Sequence, residues 1–118
     1  MQLSIINRNI AINMGISKTE LFTKEQNEVA KIAKAIAHPA RIAILQHLVE
    51  VNSCVCGAIV DQIGLSQSTI SQHLKELKKL DIIKGEIEGA RVCYCINHEK
   101  MESIRVLFNR IFKQFSCC

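Results

Sequence analysis

Two adjacent stretches near the start of the chain carry hydrophobic residues at helical spacing. Between residues 24 and 36 they fall at positions i, i+3, i+4 and i+7, which predicts an amphipathic helix. These residues are Val29, Ile32, Ala33 and Ile36. Thr23 and Gln26 stand three positions apart at its start, the spacing of a capping box. The pair His38-Pro39 ends this helix and begins a second, because proline disfavours helix before itself but suits a first helical turn. The buried stripe predicted for the second helix is Ile42, Leu45, Leu48 and Val49.

The next segment has the pattern of two helices joined by a tight turn. Residues 54–63 are mostly apolar and stop at Gly64, a residue suited to the left-handed conformation that ends helices. Ser66 is suited to cap the helix that follows. Over residues 67–80 an apolar stripe of Ile70, Leu74 and Leu77 lies opposite a polar, basic side. A short helix, a glycine-containing turn and a second helix predict a helix-turn-helix.

The last third of the chain predicts a hairpin and a final helix. Two β-rich runs, residues 82–87 and 90–96, surround Glu88-Gly89, which is typical of a β-hairpin. Apolar residues at alternating steps of three and four then predict a terminal helix: Met101, Ile104, Leu107, Phe108, Ile111, Phe112 and Phe115. This stripe is wider than a small core needs, which indicates a subunit interface. The predicted fold is mainly α with a small β-hairpin, a winged helix-turn-helix that dimerises through its first and last helices.

Length and composition favour one compact domain. The chain has 118 residues, of which 48% are hydrophobic. In residues 1–20 apolar residues at period two are interrupted by Asn and Gly, so we interpret that stretch as an N-terminal arm without an assigned element. Residues 21–118 are the predicted DNA-binding and dimerisation domain. The start lacks a secretory signal and no apolar run approaches the ~20 residues that cross a bilayer, so we expect a cytoplasmic protein without a membrane partner.

The polar side of the second helix in the helix-turn-helix is the predicted DNA-reading surface. The net charge of +4 suits a polyanion without requiring one. A recognition helix needs short hydrogen-bonding side chains near its start and cations farther along. These groups are Gln67, Ser68, Thr69, Ser71 and Gln72, followed by Lys75, Lys78 and Lys79. Gln72 is the predicted base reader, since an amide pairs with adenine N6 and N7. Lys84 and Arg91 in the hairpin are predicted to touch the backbone or the minor groove.

Two other interpretations apply to residues of this helix. Ser, Gln and Lys are common on exposed surfaces, so the polar side could also be an ordinary solvated face. His73 lies beside the apolar stripe, which favours a packed, hydrogen-bonded histidine over a base contact or a metal ligand.

Three segments together resemble a known family. They are Cys54-Val55-Cys56 before a helix, residues 65–77 with the sequence LSQSTISQHLKEL, and residues 89–94 with the sequence GARVCY. Over about residues 24–115 the chain is similar to the arsenical-resistance repressor (ArsR) family of bacterial metal-sensing regulators. The resemblance implies a homodimeric repressor that sits on double-stranded operator DNA and releases it when a thiophilic ion binds. As(III) or Sb(III) is the expected inducer, with Cd(II) or Zn(II) as alternatives, and no cofactor is expected to be required.

The cysteines are the candidate ion ligands. In a cytoplasmic protein the six cysteines are expected to stay reduced, and thiolates are soft ligands suited to such ions. On a regular helix Cys54 and Cys56 would lie about 200° apart, so either Cys54 precedes the helix or binding unwinds its first turn. The helix N-terminus is expected to favour thiolate. Family arsenite sensors add a third cysteine where Ile59 stands here, so the third thiolate must come from elsewhere in the chain or from a small-molecule thiol. Cys117 and Cys118 are the other predicted metal ligands, which either complete this site or form a site of their own.

The remaining two cysteines form a third pair. Cys93 and Cys95 alternate with Val92, Tyr94 and Ile96, so we expect them to face away from the buried side of the hairpin and to be exposed. For each pair the alternative is a small, inert core residue. An alternative function is a winged-helix regulator that senses oxidants or reactive sulfur through its thiols.

An enzyme is the least favoured class of function. The sequence has no C-x-x-C beside a βαβ pattern, no H-E-x-x-H, no glycine-rich phosphate loop and no G-x-S-x-G. No motif therefore assembles a nucleophile, a base and an oxyanion site.

Overall fold

The structure is a computed structural model that describes residues 18–57, 59–89 and 91–116. After a 3-10 turn at Lys18–Leu21, the chain forms five helices and one hairpin in the described ranges. In chain order they are α1 (Lys24–Ile36), α2 (Pro39–Val51), α3 (Ile59–Ile63), α4 (Gln67–Lys79), β1 (Ile83–Glu88), β2 (Arg91–Ile96) and α5 (His98–Gln114). Residues 1–17 of the predicted arm lie outside the described residues. The described residues fall into two compact units, divided between Lys31 and Ile32.

Local signals in the sequence account for the starts of α1 and α2. The backbone N–H of Gln26 donates to Thr23 Oγ1 at 3.0 Å, and the N–H of Thr23 donates to Gln26 Oε1 at 2.9 Å. This reciprocal pair is the predicted capping box. At the start of α2, His38 is extended and its Nδ1 accepts the N–H of Ala40 at 3.0 Å, with Pro39 as the first helical residue. Both predicted boundaries are confirmed.

The turn between α3 and α4 follows from two residues. Gly64 has φ +81°, a conformation in which a Cβ is disfavoured, so it reverses the chain after α3. Ser66 is extended and its hydroxyl accepts the N–H of Thr69 at 3.4 Å, which caps α4. The helix-turn-helix geometry is therefore fixed by the residues that predicted it.

An aliphatic core lies within residues 32–118. Its most buried members include Ile44, Leu77 and Ile82, each with 0% exposure. Burying one such side chain stabilises the fold by roughly 1.5–3 kcal/mol. The stripe predicted for α2 is partly wrong, because Ile42 and Val49 are 40% and 55% exposed. The apolar residues of α2 itself are distributed around nearly the whole helix, so their spacing selects no single buried face. Tertiary packing buries Ala40, Ile44, Leu45 and Leu48 instead.

The hairpin pairs β1 with β2, and a further short segment pairs with the other edge of β2. The register of β1 and β2 runs from Ile83 opposite Ile96 to Glu88 opposite Arg91. On the other edge, the N–H of Val55 donates to the carbonyl of Tyr94 at 2.7 Å, and the N–H of Tyr94 donates to the carbonyl of Val55 at 2.9 Å. Residues 54–56 therefore lie extended along β2, before α3 begins.

Helix α5 leaves much of its apolar side uncovered. Ile104 is its buried residue, whereas Phe112 and Phe115 on the same side are 58% and 68% exposed. The rings of Phe112 and Phe115 lie 6.1 Å apart and form a continuous aromatic surface with Phe108.

Within the described part of the chain, no helix combines the length and the apolar character that crossing a membrane requires.

Candidate nucleic-acid interface and thiol site

The outer side of α4 is polar, basic and open to solvent. All the groove and phosphate residues predicted on this helix are exposed: Gln67, Ser68, Thr69, Ser71, Gln72, Lys75, Lys78 and Lys79. In the first turn Gln67 Nε2 donates to Ser71 Oγ at 3.3 Å, and the hydroxyls of Ser66 and Thr69 lie 2.9 Å apart. These contacts align short hydrogen-bonding groups along the turn that enters a groove first.

Glu76 is a residue of this surface that the sequence reasoning missed. Its Oε1 accepts a hydrogen bond from Gln72 Nε2 at 3.3 Å and pairs with Lys79 Nζ at 3.2 Å. The spacing of four and three residues along the helix was the signal that could have revealed it. The Gln72 Nε2 carries two hydrogens, so it has one left for adenine N7 while the other is donated to Glu76.

The wing adds two exposed cations and one close contact with α4. Lys84 on β1 and Arg91 on β2 are both exposed, as a DNA-contacting role requires. Gly85 was also missed by the sequence reasoning: a Cβ at this position would lie 3.0 Å from Lys78 Nζ. Because Gly85 has no side chain, the end of the Lys78 side chain can lie against strand β1 of the wing.

A buried histidine anchors the inner side of α4. His73 is 7% exposed, and its Nδ1 accepts a hydrogen bond from Arg41 Nε at 3.0 Å. Arg41 Nη1 donates to the carbonyl of Ala35 at 2.8 Å, and the His38 ring lies 4.5 Å from that of His73. Burial, with smaller effects of His38 and Arg41, lowers the pKa of His73. The prediction of a packed, hydrogen-bonded histidine is confirmed.

Cys54 and Cys56 both precede α3. The alternative in which Cys54 lies before the helix is therefore confirmed, and Cys56 lies there as well. Residues i and i+2 of an extended segment point to the same side, so the two side chains need no unwinding of a helix to approach one ion. Ile59, at the position of the family's third cysteine, is buried in the core with 3% exposure.

The pairing of Val55 with Tyr94 brings four cysteines together. In antiparallel pairing their neighbours face each other, so Cys54 lies opposite Cys95 and Cys56 opposite Cys93. We call these four residues the four-cysteine cluster. Cys56 and Cys93 form a disulfide, with their Cα atoms 4.2 Å apart. The sulfurs of Cys54 and Cys95 and a carboxylate oxygen of Glu86 all lie within 4.8 Å of one another.

Three expectations about the cysteines are wrong. Cys93 is 1% exposed rather than solvent-facing, because residues 54–56 run along β2 and Cys56 bonds to it, while Cys95 is half-buried. Cys56 is in a disulfide in this structure, so it is not a free thiol ligand in this form. The pKa of Cys54 is raised to about 12, first by its hydrogen bond with Cys95, then by burial and by Glu86.

The position of Cys54 explains why a helix N-terminus does not lower its pKa. Cys54 lies five residues ahead of α3, itself only five residues long, so no helix N-terminus stabilises its thiolate. The other predicted ligands, Cys117 and Cys118, lie outside the described residues and stay predictions.

Comparison with known proteins gives consistent matches. Residues 38–84 match the family described as bacterial regulatory protein, arsR family. The chain is 37% identical over 89 residues to an HTH-type transcriptional regulator of Methanocaldococcus jannaschii, covering 75% of this chain and 99% of that protein. It is 34% identical over 82 residues to the transcriptional repressor PagR of Bacillus anthracis, covering 70% and 82%.

A solved structure with the same architecture is that of the transcriptional repressor BigR from Xylella fastidiosa. The TM-score is 0.58 at 29% sequence identity, covering 80% of this chain and 92% of that one. The predicted winged helix-turn-helix is confirmed. The matched proteins are transcriptional regulators, which are DNA-binding proteins and not enzymes. With the capped recognition helix, the wing and the relatives in agreement, the chain belongs to the ArsR family of bacterial transcriptional regulators.

Proposed function

We propose that this chain is a repressor that binds operator DNA as a homodimer and releases it when a thiophilic ion, As(III) or Sb(III), binds its cysteines. The observation that carries the proposal is the recognition helix. One side of α4 is anchored by buried His73, and the other presents exposed polar and basic side chains.

Each predicted DNA-binding residue has a role that its place on this surface supports. The side chains of the first turn of α4 approach the major groove, and Gln72 pairs with an adenine edge. The cations bind phosphates: Lys75 and Lys79 on α4, and Lys84 and Arg91 on the wing, where the minor groove is also within reach.

Homodimerisation is the second part of the proposal. One helix in a groove gives little specific affinity, whereas a two-fold dimer presents two helices about 34–36 Å apart. The exposed aromatic surface of α5 supports a second copy of this chain as the occupant. An apolar groove of about 470 Å³, lined among others by Ile36, Ile42, Val49 and Met101, is a second uncovered apolar area.

Ion binding is coupled to DNA binding through α3. The four-cysteine cluster lies where the chain enters α3, and α3 packs against α4 in the helix-turn-helix. An ion that pulls these sulfurs toward one geometry therefore changes the position of the recognition helix. The ion weakens DNA binding only to the extent that it binds the DNA-released conformation more tightly than the DNA-bound one. Cys117 and Cys118 are further candidate ligands, and Cd(II) and Zn(II) are alternative inducers.

One observation favours a second candidate function. The disulfide between Cys56 and Cys93 supports a regulator that senses oxidants or reactive sulfur, in which oxidation of the cluster replaces ion binding as the signal.

Thiol protection tests which signal the protein senses. Reduced protein is alkylated with and without As(III), and the modified cysteines are identified by mass spectrometry. We expect As(III) to protect Cys54 and at least two further cysteines. Equal alkylation of all six cysteines in both samples would contradict ion sensing. Peroxide treatment that joins Cys56 to Cys93 and releases DNA, without any As(III) effect, would establish the alternative.

A further inference from the structure

We propose that the four-cysteine cluster, in its reduced form, is a closed metal centre that binds one tetrahedral Zn(II) or Cd(II) ion in each chain. The ligands are the sulfurs of Cys54, Cys56, Cys93 and Cys95. Half of this centre belongs to the wing strand β2, so the ion links the entrance of α3 to the wing. The consequence for DNA rests on the proposed function, whereas binding of the ion does not.

The backbone pairing sets the positions of the ligands. Val55 and Tyr94 exchange both of their hydrogen bonds, at 2.7 and 2.9 Å. The pairs on either side are then of the non-hydrogen-bonded type, in which Cα atoms are about 4.5 Å apart and side chains are closest. The Cα distance of 4.2 Å between Cys56 and Cys93 agrees with this.

The two cysteine pairs lie on the same side of the paired segments. Positions i and i+2 of an extended chain share a face and are about 6.6 Å apart. A tetrahedral ion with Zn–S bonds of about 2.3 Å holds its sulfurs about 3.8 Å apart. The sulfurs of Cys54 and Cys95 already lie within 4.8 Å of each other, so changes of rotamer are sufficient to close the remaining gaps.

The chemistry of the donors selects the ion. Four thiolates form the closed tetrahedral set of structural zinc sites, and Cd(II) shares that preference for soft ligands. A trivalent arsenic ion, by contrast, takes three sulfurs and leaves one unused. The Glu86 carboxylate accepts the Cys54 thiol hydrogen bond at 3.5 Å, and this hydrogen bond is lost when Cys54 gives up its proton to bind the ion.

The oxidation state of the cluster decides whether the set is complete. With Cys56 bonded to Cys93, the groups left are two sulfurs and one carboxylate, those of Cys54, Cys95 and Glu86. A dithiol reductant supplies two electrons and two protons. The S–S bond breaks to give two thiols, and the reductant closes to its own disulfide. Binding of the ion then releases the thiol protons to solvent.

Cadmium titration without DNA tests the centre directly. The protein is reduced with a dithiol, freed of it under anaerobic conditions, and titrated with Cd(II) against a competing chelator. The sulfur-to-cadmium absorption measures the number of thiolates bound. We expect one Cd(II) per chain with the intensity of four thiolates. The oxidised protein should show no more than half of that intensity.

Variants assign the ligands. In Cys95→Ser the intensity should fall by a quarter and the affinity by at least about tenfold, since loss of an outer-shell partner alone costs 10–100-fold. Cys95 is half-buried, so this variant spares the buried Cys93 position; Cys93→Ser, checked for folding by circular dichroism, should behave in the same way. Cys117→Ser/Cys118→Ser tests the competing ligands, and the matched control is Ser103→Ala, an exposed residue of α5 outside the cluster, which should bind as the unmodified protein does.

The outcomes separate this inference from the proposed function. Full intensity in Cys95→Ser, or a loss of intensity in Cys117→Ser/Cys118→Ser, would overturn the four-cysteine centre. Four-thiolate binding by a protein whose DNA complex ignores every ion would instead overturn the proposed function and leave the centre intact.

Discussion

Neighbouring side chains on α4 lie in opposite environments, one on the proposed DNA-reading side and the next in the interior. Gln72 is exposed, whereas His73, the next residue, is buried and hydrogen-bonded to Arg41. Successive helical residues are about 100° apart, so one helix presents both a reading side and an anchoring side. The sequence was sufficient to predict that Gln72 is exposed and His73 packed, because both depend on helical period alone; base reading by Gln72 stays a prediction.

Substitution of Gln72 should change the specificity of DNA binding. Gln72→Ala removes the amide that pairs with adenine, so we expect the preference at one base pair to fall by about 1–3 kcal/mol. The matched variant Lys75→Ala should weaken binding to all sequences alike and reduce the salt slope by about 1. Fluorescence anisotropy on a duplex selected from random DNA, and on its single-base variants, checks both. A uniform loss in Gln72→Ala would rule out base reading.

The buried His73 should make stability depend on pH. Its pKa is lowered in the folded protein, so below the ordinary value of 6.5 the unfolded chain binds a proton that the folded chain does not. The free energy of unfolding should therefore be greatest above that pH and should fall as the pH drops below it. Urea unfolding at pH 7.5 and 5.5 measures this. His73→Gln should lose much of the dependence, and exposed His98→Gln should retain it.

At the scale of helices and strands, local signals were reliable and pairings between distant segments were not. The capping box at Thr23 and the glycine turn at Gly64 depend only on nearby residues, and both lie where the sequence predicted them. The exposure of Cys93 was predicted wrongly for a physical reason. Strand alternation predicts the side of β2 on which Cys93 lies, but not what covers that side. Residues 54–56 cover it, and they are distant in sequence, since the disulfide partners Cys56 and Cys93 are 37 positions apart. The buried side of α2 was ambiguous because apolar residues surround that helix.

The turn between α3 and α4 provides a test at this scale. Gly64 has φ +81°, and a Cβ added to it would meet no atom within 4 Å, so Gly64→Ala should cost only the backbone penalty of about 1–2 kcal/mol. The matched control is Gly85→Ala, which has an ordinary φ and meets the flexible end of Lys78 at 3.0 Å. It should change stability by no more than about 0.5 kcal/mol. Equal losses in urea unfolding would contradict this account of the turn.

For the whole molecule, the uncovered apolar surface of α5 and the spacing of DNA grooves lead to the same requirement. The exposed aromatic surface is the proposed dimer interface, and a palindromic site is read by two recognition helices. The sequence predicted this surface because the aromatic residues repeat at helical spacing. It did not reveal the joining of the wing to the entrance of α3, which depends on the folded arrangement of both segments.

Disruption of the α5 surface should separate dimerisation from DNA contact. Phe112→Glu/Phe115→Glu places charges in the proposed interface, so we expect monomers by sedimentation velocity. Their DNA binding should weaken to the non-specific range of about 10⁻⁴–10⁻⁶ M and remain salt-sensitive. Lys113→Ala, on the same helix, should stay dimeric. Full-strength binding of a palindromic duplex by the monomeric variant would refute the requirement for a dimer.

The release of DNA by an ion is the central claim, and a single titration tests it. Reduced protein bound to its selected duplex is titrated with As(III), and anisotropy reports the affinity for DNA. We predict a loss within the range of about 5–150-fold that allosteric coupling usually spans, and little or no loss in Cys54→Ser. An unchanged affinity for DNA, in protein whose Cys54 is shown by alkylation to be occupied by As(III), would contradict the account.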